Sequence, residues 1–460
     1  MPAHRPGIGL HRREMLQVGY SGALGIGLLG APRTTAFARP AAGAKASGKS
    51  GKSVVLIWTS GAMSHLDTLD PKPDAAAEIR GEFAAIDTKI PGVSFTELMP
   101  KLSERANKFA VVRTLTHREN NHLVASHHVT TGRQQPGAFF DKVASRDDWP
   151  CFAGAVNALR APQDGTPAGV HVPWHLFSPT LVWPGQHAGF LGPKHDPMQL
   201  HQNPNAKDFK VENVGPAAGL DVDQLDDRAT LLKTLHAAQL RLAGTAEAMK
   251  LDDQQSRAFR LLTGGKMATA FDLTKEDAKT RDAYGRHPFG QTLLLARRLV
   301  EAGVPMIQAN MGKSQAWDNH DNIFNQLKTQ LVPPLDVALS TFLDDLQQRG
   351  LLDNTLVVLV GEFGRTPKLS KQNPNAAVGR DHWASCFSAL VAGAGVRGGQ
   401  VLGKSDGIGA YPSVNPFSPD DLGATIYRTL GISPDTELHD RLGRPVTLNL
   451  GKPIDALFTG

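Results

Sequence analysis

The sequence predicts an α/β fold of three layers, in which helices cover both faces of a mostly parallel central sheet. Two observations lead to this prediction. Short apolar segments alternate with stretches of helical periodicity, and several of the apolar segments end abruptly in polar loops. The chain has 460 residues, of which 41% are hydrophobic and 20% are charged, as in ordinary globular proteins. We therefore expect one large α/β domain.

Apolar segments of strand length occur along the whole chain. The most continuous is Leu356–Val360, an aliphatic run that is too short for a buried helix and suits a strand covered on both faces. The other predicted strands are Val54–Trp58, Phe109–Thr114, Val304–Ala309 and Cys386–Val391. The predicted helices are Leu225–Leu262, Gln291–Ala302, Ile323–Gln348 with an interruption at Pro333-Pro334, and Asp420–Leu430.

The N-terminal segment has the features of an export signal. Arg12-Arg13 precedes the glycine-rich apolar segment Val18–Leu29, and Ala36-Phe37-Ala38 follows as a cleavage pattern. Residues 1–38 therefore resemble a twin-arginine signal peptide, which predicts a periplasmic or extracellular protein. The apolar segment is too short and too rich in glycine for a membrane span, so no integral membrane segment is expected.

Composition divides the remainder of the chain and excludes some functions. Residues 39–52 are predicted to be a flexible linker, and residues 53–460 a single domain with a loop-rich insertion around 149–220.

The net charge does not support nucleic-acid binding. Of the total of +5, the leader contributes four arginines less one glutamate, which leaves +2 for the rest of the chain. Cys151 and Cys386 are more consistent with two buried thiols than with one disulfide bridge.

Three polar loops follow apolar segments, and we expect them to meet. Glu362 comes directly after Leu356–Val360, Asp318 and His320 lie upstream, and His382 lies downstream. Ligands bind at the carboxyl edge of open α/β sheets, and carboxylates and imidazoles are common ligands of divalent metals. The histidines between His117 and His128 lack a spacing that aligns two ligands on a helix. They are interpreted as a solvated or hydrogen-bonded group.

Longer motifs resemble a known family over essentially the whole chain from Ser53 onward. The family is exported and largely uncharacterised, and is catalogued as domain of unknown function 1501. It is thought to be related to the alkaline phosphatase and sulfatase superfamily, so the resemblance implies an alkaline phosphatase-like fold. The matching segments are SHLDTLDPKPDAAAEIRGEF, RDAYGRHPFGQTLLLARRLVEAG, WDNHDNIFNQLK, LVVLVGEFGRTPK, GRDHW and DLGATIYRTLGISPDTELHDRLGRP.

The resemblance also implies roles for individual residues. Asp318, His320 and His382 are similar to the ligands of one metal ion. Glu362 would hold a second ion or act as a base, and Asp67 is a further candidate ligand. His122 lies near the position of the superfamily's nucleophile, where this chain has no Ser, Thr or Cys, and this favours attack by water unless His122 serves. Arg365 or Arg133 would neutralise an anionic substrate.

These implications lead to two hypotheses. In the first, the protein is a metal-dependent hydrolase of sulfate or phosphate esters that uses Zn²⁺, Ca²⁺, Mg²⁺ or Mn²⁺, with an anionic ester or glycan as substrate. In the second, it is a non-catalytic exported protein that keeps the fold and recognises anionic glycans or a surface partner. The sequence leaves the oligomeric state open.

Overall fold

The computed structural model describes residues 52–137, 142–160, 166–178, 181–211, 214 and 265–459. The predicted signal peptide, almost all of the linker and the predicted helix Leu225–Leu262 lie outside these residues. All statements below about what the structure contains refer to the described ranges.

The central sheet has eight strands. Along the chain these are β1 (Ser53–Trp58), β2 (Phe109–Leu115), β3 (Gly169–Val172), β4 (Met198–Gln199), β5 (Met306–Asn310), β6 (Thr355–Val360), β7 (Phe387–Ala392) and β8 (Gln400–Leu402). Their order across the sheet is β8-β2-β7-β6-β1-β5-β3-β4. Only β7 runs against its neighbours, and every other pairing is parallel. The prediction of a mostly parallel sheet is confirmed, and all five predicted strands are present.

Helices cover both faces of the sheet. They are α1 (Ala77–Arg80), α2 (Pro100–Ser103), α3 (His122–Thr131), α4 (Phe152–Leu159), α5 (Lys266–Phe271), α6 (Ala278–Tyr284), α7 (Pro288–Glu301), α8 (Ile323–Gln326), α9 (Val332–Gln348) and α10 (Pro419–Thr429). Side chains of β1 alternate between two cores: Val55 joins the core that contains α7 and α9, and Leu56 joins the core that contains α4 and α10. The three-layer prediction is therefore confirmed.

The predicted interruption at Pro333-Pro334 is also present. The helical segment begins as α8, widens to a π-helix over Leu327–Leu331, and continues as α9 from Val332 with the prolines in its first turn. Proline has no N–H to donate and its ring collides with the carbonyl four residues earlier, so the preceding turn opens.

In the described part of the region around 149–220, regular elements stand beside the long ordered loops that were predicted there. This region supplies α4 and two strands of the central sheet, β3 and β4, which extend the sheet beyond β5. The prediction missed them because β3 is only four residues long and β4 only two, too short for a hydrophobic period to be visible.

Outside the central sheet, the loops contain two-stranded ribbons and short 3₁₀ helices. Two-stranded ribbons pair Ala85–Asp87 with Ser94–Thr96, Phe177–Ser178 with Leu181–Val182, Gly364–Arg365 with His382–Trp383, Lys404–Ser405 with Pro412–Val414, and Glu437–His439 with Pro445–Thr447. Short 3₁₀ helices lie at Ala106–Lys108, Gly189–Leu191, Pro193–His195, Leu273–Lys275, Leu352–Asn354 and Asp455–Leu457.

The two cysteines agree with the expectation from the sequence. Cys151 and Cys386 are both buried and free, as the sequence favoured. In the described part of the chain, no helix combines the length and the apolar character needed to cross a membrane.

Candidate metal centre

Sheet topology brings the predicted polar loops to one edge. Trp58, the last residue of β1, pairs with Val360 at the end of β6 and with Asn310 at the end of β5. These three parallel strands therefore end side by side at one edge of the sheet. β2 runs in the same direction because it is antiparallel to β7, which is antiparallel to β6. The loops that follow β2, β5 and β6 consequently start at this edge, and the loop that precedes β7 ends there.

Four side chains from these loops form what we call the His/Asp cluster: His122, Asp318, His320 and His382. His122 Nε2 lies 3.1 Å from Asp318 Oδ2, and the Nε2 atoms of His320 and His382 lie 3.0 and 3.2 Å from Asp318 Oδ1. The two latter Nε2 atoms are 2.9 Å apart. One ligand atom from each of His122, Asp318 and His382 lies within 4.8 Å of the others, a spacing that could hold a metal ion.

Each histidine of the cluster is held through its other ring nitrogen. The Nδ1 atoms of His122, His320 and His382 lie 2.6 Å from Glu362 Oε1, 2.7 Å from Asp381 Oδ1 and 2.7 Å from the Asn120 carbonyl oxygen. Because each of these partners is an acceptor, Nδ1 must carry the hydrogen. The Nε2 atom of each neutral imidazole therefore presents a lone pair, the arrangement by which proteins orient metal-binding histidines.

These atoms fit a divalent ion. The lone pairs of His320 and His382, 2.9 Å apart, repel each other unless a proton or a cation lies between them. Ligand atoms that bind one ion at about 2.1 Å are themselves roughly 3.0–3.4 Å apart. The separations within the cluster, 2.9 to 3.2 Å, are close to that range.

His122 is delivered to the cluster by the start of α3. The side chain of Asn121 caps this helix by accepting hydrogen bonds from the backbone of Leu123 and Val124. The His122 ring is almost fully buried. Its centre lies 5.5 Å from the centre of the Trp183 ring, with which it stacks, and 4.9 Å from the centre of the Phe363 ring. The residue that the sequence suggested as a possible nucleophile thus lies among the potential metal ligands.

Glu362 supports His122. Its side chain is fully buried, and Oε1 accepts a hydrogen bond of 2.8 Å from the Gly61 backbone in addition to its contact with His122. Gly61 has a φ of +101°, and a Cβ there would lie 2.5 Å from the Asp318 nitrogen, so only glycine lets the loops approach so closely. Oε2 of Glu362 has no hydrogen-bond partner among the described residues.

Arg365 does not face a substrate site, contrary to the sequence-based expectation. Its guanidinium is fully buried and donates to Asp318 Oδ1 at 2.6 Å. Its other hydrogen bonds are to the carbonyl oxygens of Gly61, Ala62, Trp317 and Arg380. Arg365 therefore holds Asp318 and ties the loops together, because a buried cation needs these acceptors.

Asp67 and Arg133 also lie apart from the roles expected of them. Both carboxylate oxygens of Asp67 accept from the buried guanidinium of Arg380, at 2.7 and 3.2 Å. Arg133 follows the far end of α3, about 16 Å along the helix axis from His122. Its guanidinium lies 3.9 Å from the ring of Trp149. We therefore leave both residues out of the candidate centre.

The electrostatics of the cluster follow from these contacts. Burial on its own raises the pKa of Asp318, but its contacts with the three imidazoles and Arg365 outweigh burial and lower the pKa well below its usual range. Burial lowers the pKa of His122, but the Asp318 and Glu362 carboxylates raise it to about 8. Asp318 raises the pKa of His320. Without an ion, the cluster thus attracts protons to the positions where an ion would bind.

Sequence reasoning missed the contacts of two residues that complete this arrangement. Asp381 stands next to His382 and could have been found as a neighbouring carboxylate. Asn120 acts through its backbone carbonyl, which leaves no signal in the sequence. The nearby histidines at 127 and 128 are held by the Arg133 carbonyl and by Asp420, which agrees with the interpretation of hydrogen-bonded residues.

Comparisons with known proteins give one family and several distant structures. Residues 51–458 match the model of the family described as "Protein of unknown function (DUF1501)". A search of curated proteins found no match.

Three solved structures illustrate the distant similarity. The PsFucS1 sulfatase from Pseudoalteromonas sp. is 12% identical, with 83% of this chain and 68% of that chain covered and a TM-score of 0.38. The lipoteichoic acid synthase LtaP from Listeria monocytogenes is 12% identical, with 87% and 75% covered and a TM-score of 0.39. The alkaline phosphatase from the Antarctic bacterium TAB5 is 12% identical, with 83% and 99% covered and a TM-score of 0.37.

Proposed function

This chain belongs to the DUF1501 family, and we propose that it is an exported metal-dependent hydrolase of sulfate or phosphate esters. One observation carries the proposal: three imidazole Nε2 atoms meet at the carboxylate of Asp318, and each ring is fixed by an acceptor at Nδ1. Imidazole nitrogens that converge on one largely buried carboxylate attract positive charge, and a bound cation supplies it in place of protons. Such a cluster at the ligand-binding edge of an α/β sheet supports a functional role.

The cluster residues would hold the ion, and their neighbours would keep them in place. A bound divalent ion polarises an ester oxygen and lowers the pKa of bound water. Glu362 and Asp381 orient two of the imidazoles, and Arg365 keeps the Asp318 carboxylate ionised and directed toward them. In this proposal Arg365 is a positioning residue and does not contact substrate.

Exposure indicates the side from which substrate approaches. The side chains of His320 and His382 are 27% and 23% exposed, whereas that of His122 is 5% exposed. An ester would therefore approach past His320 and His382, with His122, Trp183 and Phe363 excluding water from the opposite side. None of the described contacts of the cluster involves a hydroxyl or thiol side chain, which favours attack by water over a covalent enzyme intermediate.

Arg118 is the residue that we propose to neutralise the anionic group. It is exposed on the loop between β2 and α3, two residues before Asn120, whose carbonyl oxygen holds His382. Within the described ranges it forms no ion pair. Arginine binds sulfate and phosphate groups through charge-assisted hydrogen bonds. Arg118 thus takes the role that the sequence suggested for Arg365 or Arg133.

The test is hydrolysis by the purified chain with defined metal content. Nitrophenyl sulfate, nitrophenyl phosphate and sulfated oligosaccharides would be assayed before and after chelation and after metal is restored. Asp318→Asn and His382→Ala should each lower turnover by roughly 10²-fold or more. His439→Ala, which removes an imidazole that is 58% exposed on a separate ribbon, should leave turnover unchanged.

The outcomes separate the two hypotheses that the sequence left open. Metal-sensitive turnover that both cluster variants abolish supports the hydrolase. Bound metal without turnover of any ester refutes it and favours a binding protein that recognises anionic glycans. If neither metal nor turnover is found, the proposed metal centre is wrong as well.

A further inference from the structure

The ligand atoms of the His/Asp cluster are mostly nitrogen, and this composition restricts which ion can bind. We infer that the cluster is a three-imidazole, one-carboxylate centre for a single Zn²⁺-like transition ion, with His122 as its third imidazole donor, and that it discriminates against Mg²⁺ and Ca²⁺. The inference rests on the metal centre of the proposed function but not on catalysis.

Whether His122 binds the ion decides whether the centre has three imidazole ligands or two. Its side chain is 5% exposed, and its Nε2 atom makes no hydrogen bond of acceptable geometry although it lies 3.1 Å from Asp318 Oδ2. Its ring centre is 4.2 Å from that of His382. Because Nδ1 contacts Glu362, the unpartnered Nε2 is directed into the cluster. A buried polar atom in this state needs a partner, and an ion shared with Asp318 and His382 supplies one.

The converging donor atoms are of the wrong type for a hard ion. Mg²⁺ and Ca²⁺ prefer about six to eight oxygen ligands, bound water included, over nitrogen. Here Asp318 alone offers a carboxylate to the converging nitrogens. The carboxylates of Glu362 and Asp381 lie on the far sides of the imidazole rings, where they contact Nδ1. Neutral imidazole nitrogen favours transition ions such as Zn²⁺ and Co²⁺, so the donor set selects them.

The described residues also favour one ion over a pair. In the described ranges, ligand atoms of His122, Asp318 and His382 lie within 4.8 Å of one another. His320 Nε2 lies 3.0 Å from Asp318 Oδ1 and 2.9 Å from His382 Nε2, so it joins the same carboxylate. Asp67, the candidate for a second ion, is fully engaged by Arg380. The ring of His122 and its partner Glu362 thus belong to the same centre as Asp318.

Metal binding can be measured without any substrate. Protein freed of metal with a chelator would be titrated calorimetrically with Zn²⁺, Co²⁺, Mn²⁺, Mg²⁺ and Ca²⁺, and the Co²⁺ complex would be examined by visible absorption. We expect one ion per chain, an affinity for Zn²⁺ and Co²⁺ at least about 10³-fold above that for Mg²⁺ and Ca²⁺, and the intense Co²⁺ absorption typical of fewer than six ligands. Equal or tighter binding of Mg²⁺ or Ca²⁺ would overturn the inference.

Variants test the place of His122. His122→Ala should weaken Zn²⁺ binding by more than about 100-fold, because removal of an outer partner of a ligand already costs about 10 to 100-fold. His175→Gln, which removes a half-buried imidazole outside the cluster, should bind Zn²⁺ as the wild type does. Unchanged Zn²⁺ affinity in His122→Ala contradicts the inference. If that variant does not fold, the ion ranking and the Co²⁺ spectrum of the wild type still decide.

The experiment also separates this inference from the proposed function. Selective binding of Zn²⁺ without ester hydrolysis supports the centre and refutes the hydrolase. Hydrolysis supported by Mg²⁺ or Ca²⁺, without preference for Zn²⁺, supports the hydrolase and refutes the centre described here.

Discussion

Asp67 should matter for stability and not for metal binding. Its carboxylate is paired with the guanidinium of Arg380, and the two side chains are 1% and 0% exposed. The pair connects the loop after β1 to the loop before β7. Asp67→Asn preserves the shape of the side chain but leaves Arg380 buried and charged opposite a neutral amide, and breaking a buried ion pair costs about 3–5 kcal/mol of folding free energy.

The expected magnitude lies at the lower end of that range. The asparagine still offers one acceptor oxygen, and Arg380 keeps its hydrogen bonds to the carbonyl oxygens of Ile79, Thr366 and Pro367. We therefore expect a loss of about 3 kcal/mol. With an unfolding entropy of about 2.1 cal/mol/K per residue over the roughly 350 residues that the structure describes, this corresponds to a fall in Tm of about 4 °C.

Denaturant titration and thermal scans of metal-free protein measure the loss, and calorimetry with Zn²⁺ measures affinity. Asp74→Asn, at an exposed carboxylate of the same loop region, is the control and should change neither quantity. A drop in Zn²⁺ affinity of more than tenfold with stability unchanged would refute this reasoning and restore Asp67 as a ligand.

Three further predictions concern the groups around and beyond the centre. Glu362→Gln should weaken Zn²⁺ binding by about 10 to 100-fold. It should also lower the stability of metal-free protein below pH 8, because the carboxylate that helps raise the pKa of His122 to about 8 is lost. Unchanged Zn²⁺ affinity would contradict this. Arg365→Met should destabilise metal-free protein by about 3–5 kcal/mol. Zn²⁺ should raise the Tm of this variant by more than it raises the Tm of the wild type, because the ion restores a positive charge beside Asp318. An equal rise would argue against contact between the ion and Asp318. Burial lowers the pKa of His171 from 6.5 to about 3. The unfolded chain therefore binds a proton here more readily than the folded chain, so the stability that neutral His171 contributes is complete above pH 6.5 and declines as the pH falls toward 3. Between pH 6.5 and 5.0 the loss is about 2 kcal/mol, and His171→Leu should lose correspondingly less stability over this interval in denaturant titrations; identical pH profiles would show that His171 accepts a proton when folded.

The strands were predictable because each is a short aliphatic run that must be buried on both faces. Val54–Trp58 and Leu356–Val360 coincide almost completely with β1 and β6. Polar residues directly after such runs were informative as well, because they mark the point where a buried strand reaches the edge of the sheet. Parallel strands end at a common edge, so Glu362 and the loop carrying Asp318 could be expected from the sequence alone to meet.

The strands β3 and β4 and the partners of the cluster could not be predicted in this way. β3 and β4 are too short to carry a period, and they form because an exposed edge beside β5 is available for pairing. Asp67 has the same chemistry as Asp318, and a motif cannot distinguish a carboxylate that meets an arginine from one that meets three imidazoles.

Local patterns were sufficient to establish the fold class, the edge of the sheet where chemistry is expected, and the residue types gathered there, since periodicity and polarity are properties of neighbouring residues. The role of each charged side chain depended on contacts between residues far apart in the chain. Packing turned Arg365 inward onto Asp318, paired Asp67 with Arg380, and brought His122 and Glu362 together. A charge in a protein interior acts according to the partner that neutralises it, and that partner is found only when the chain is folded.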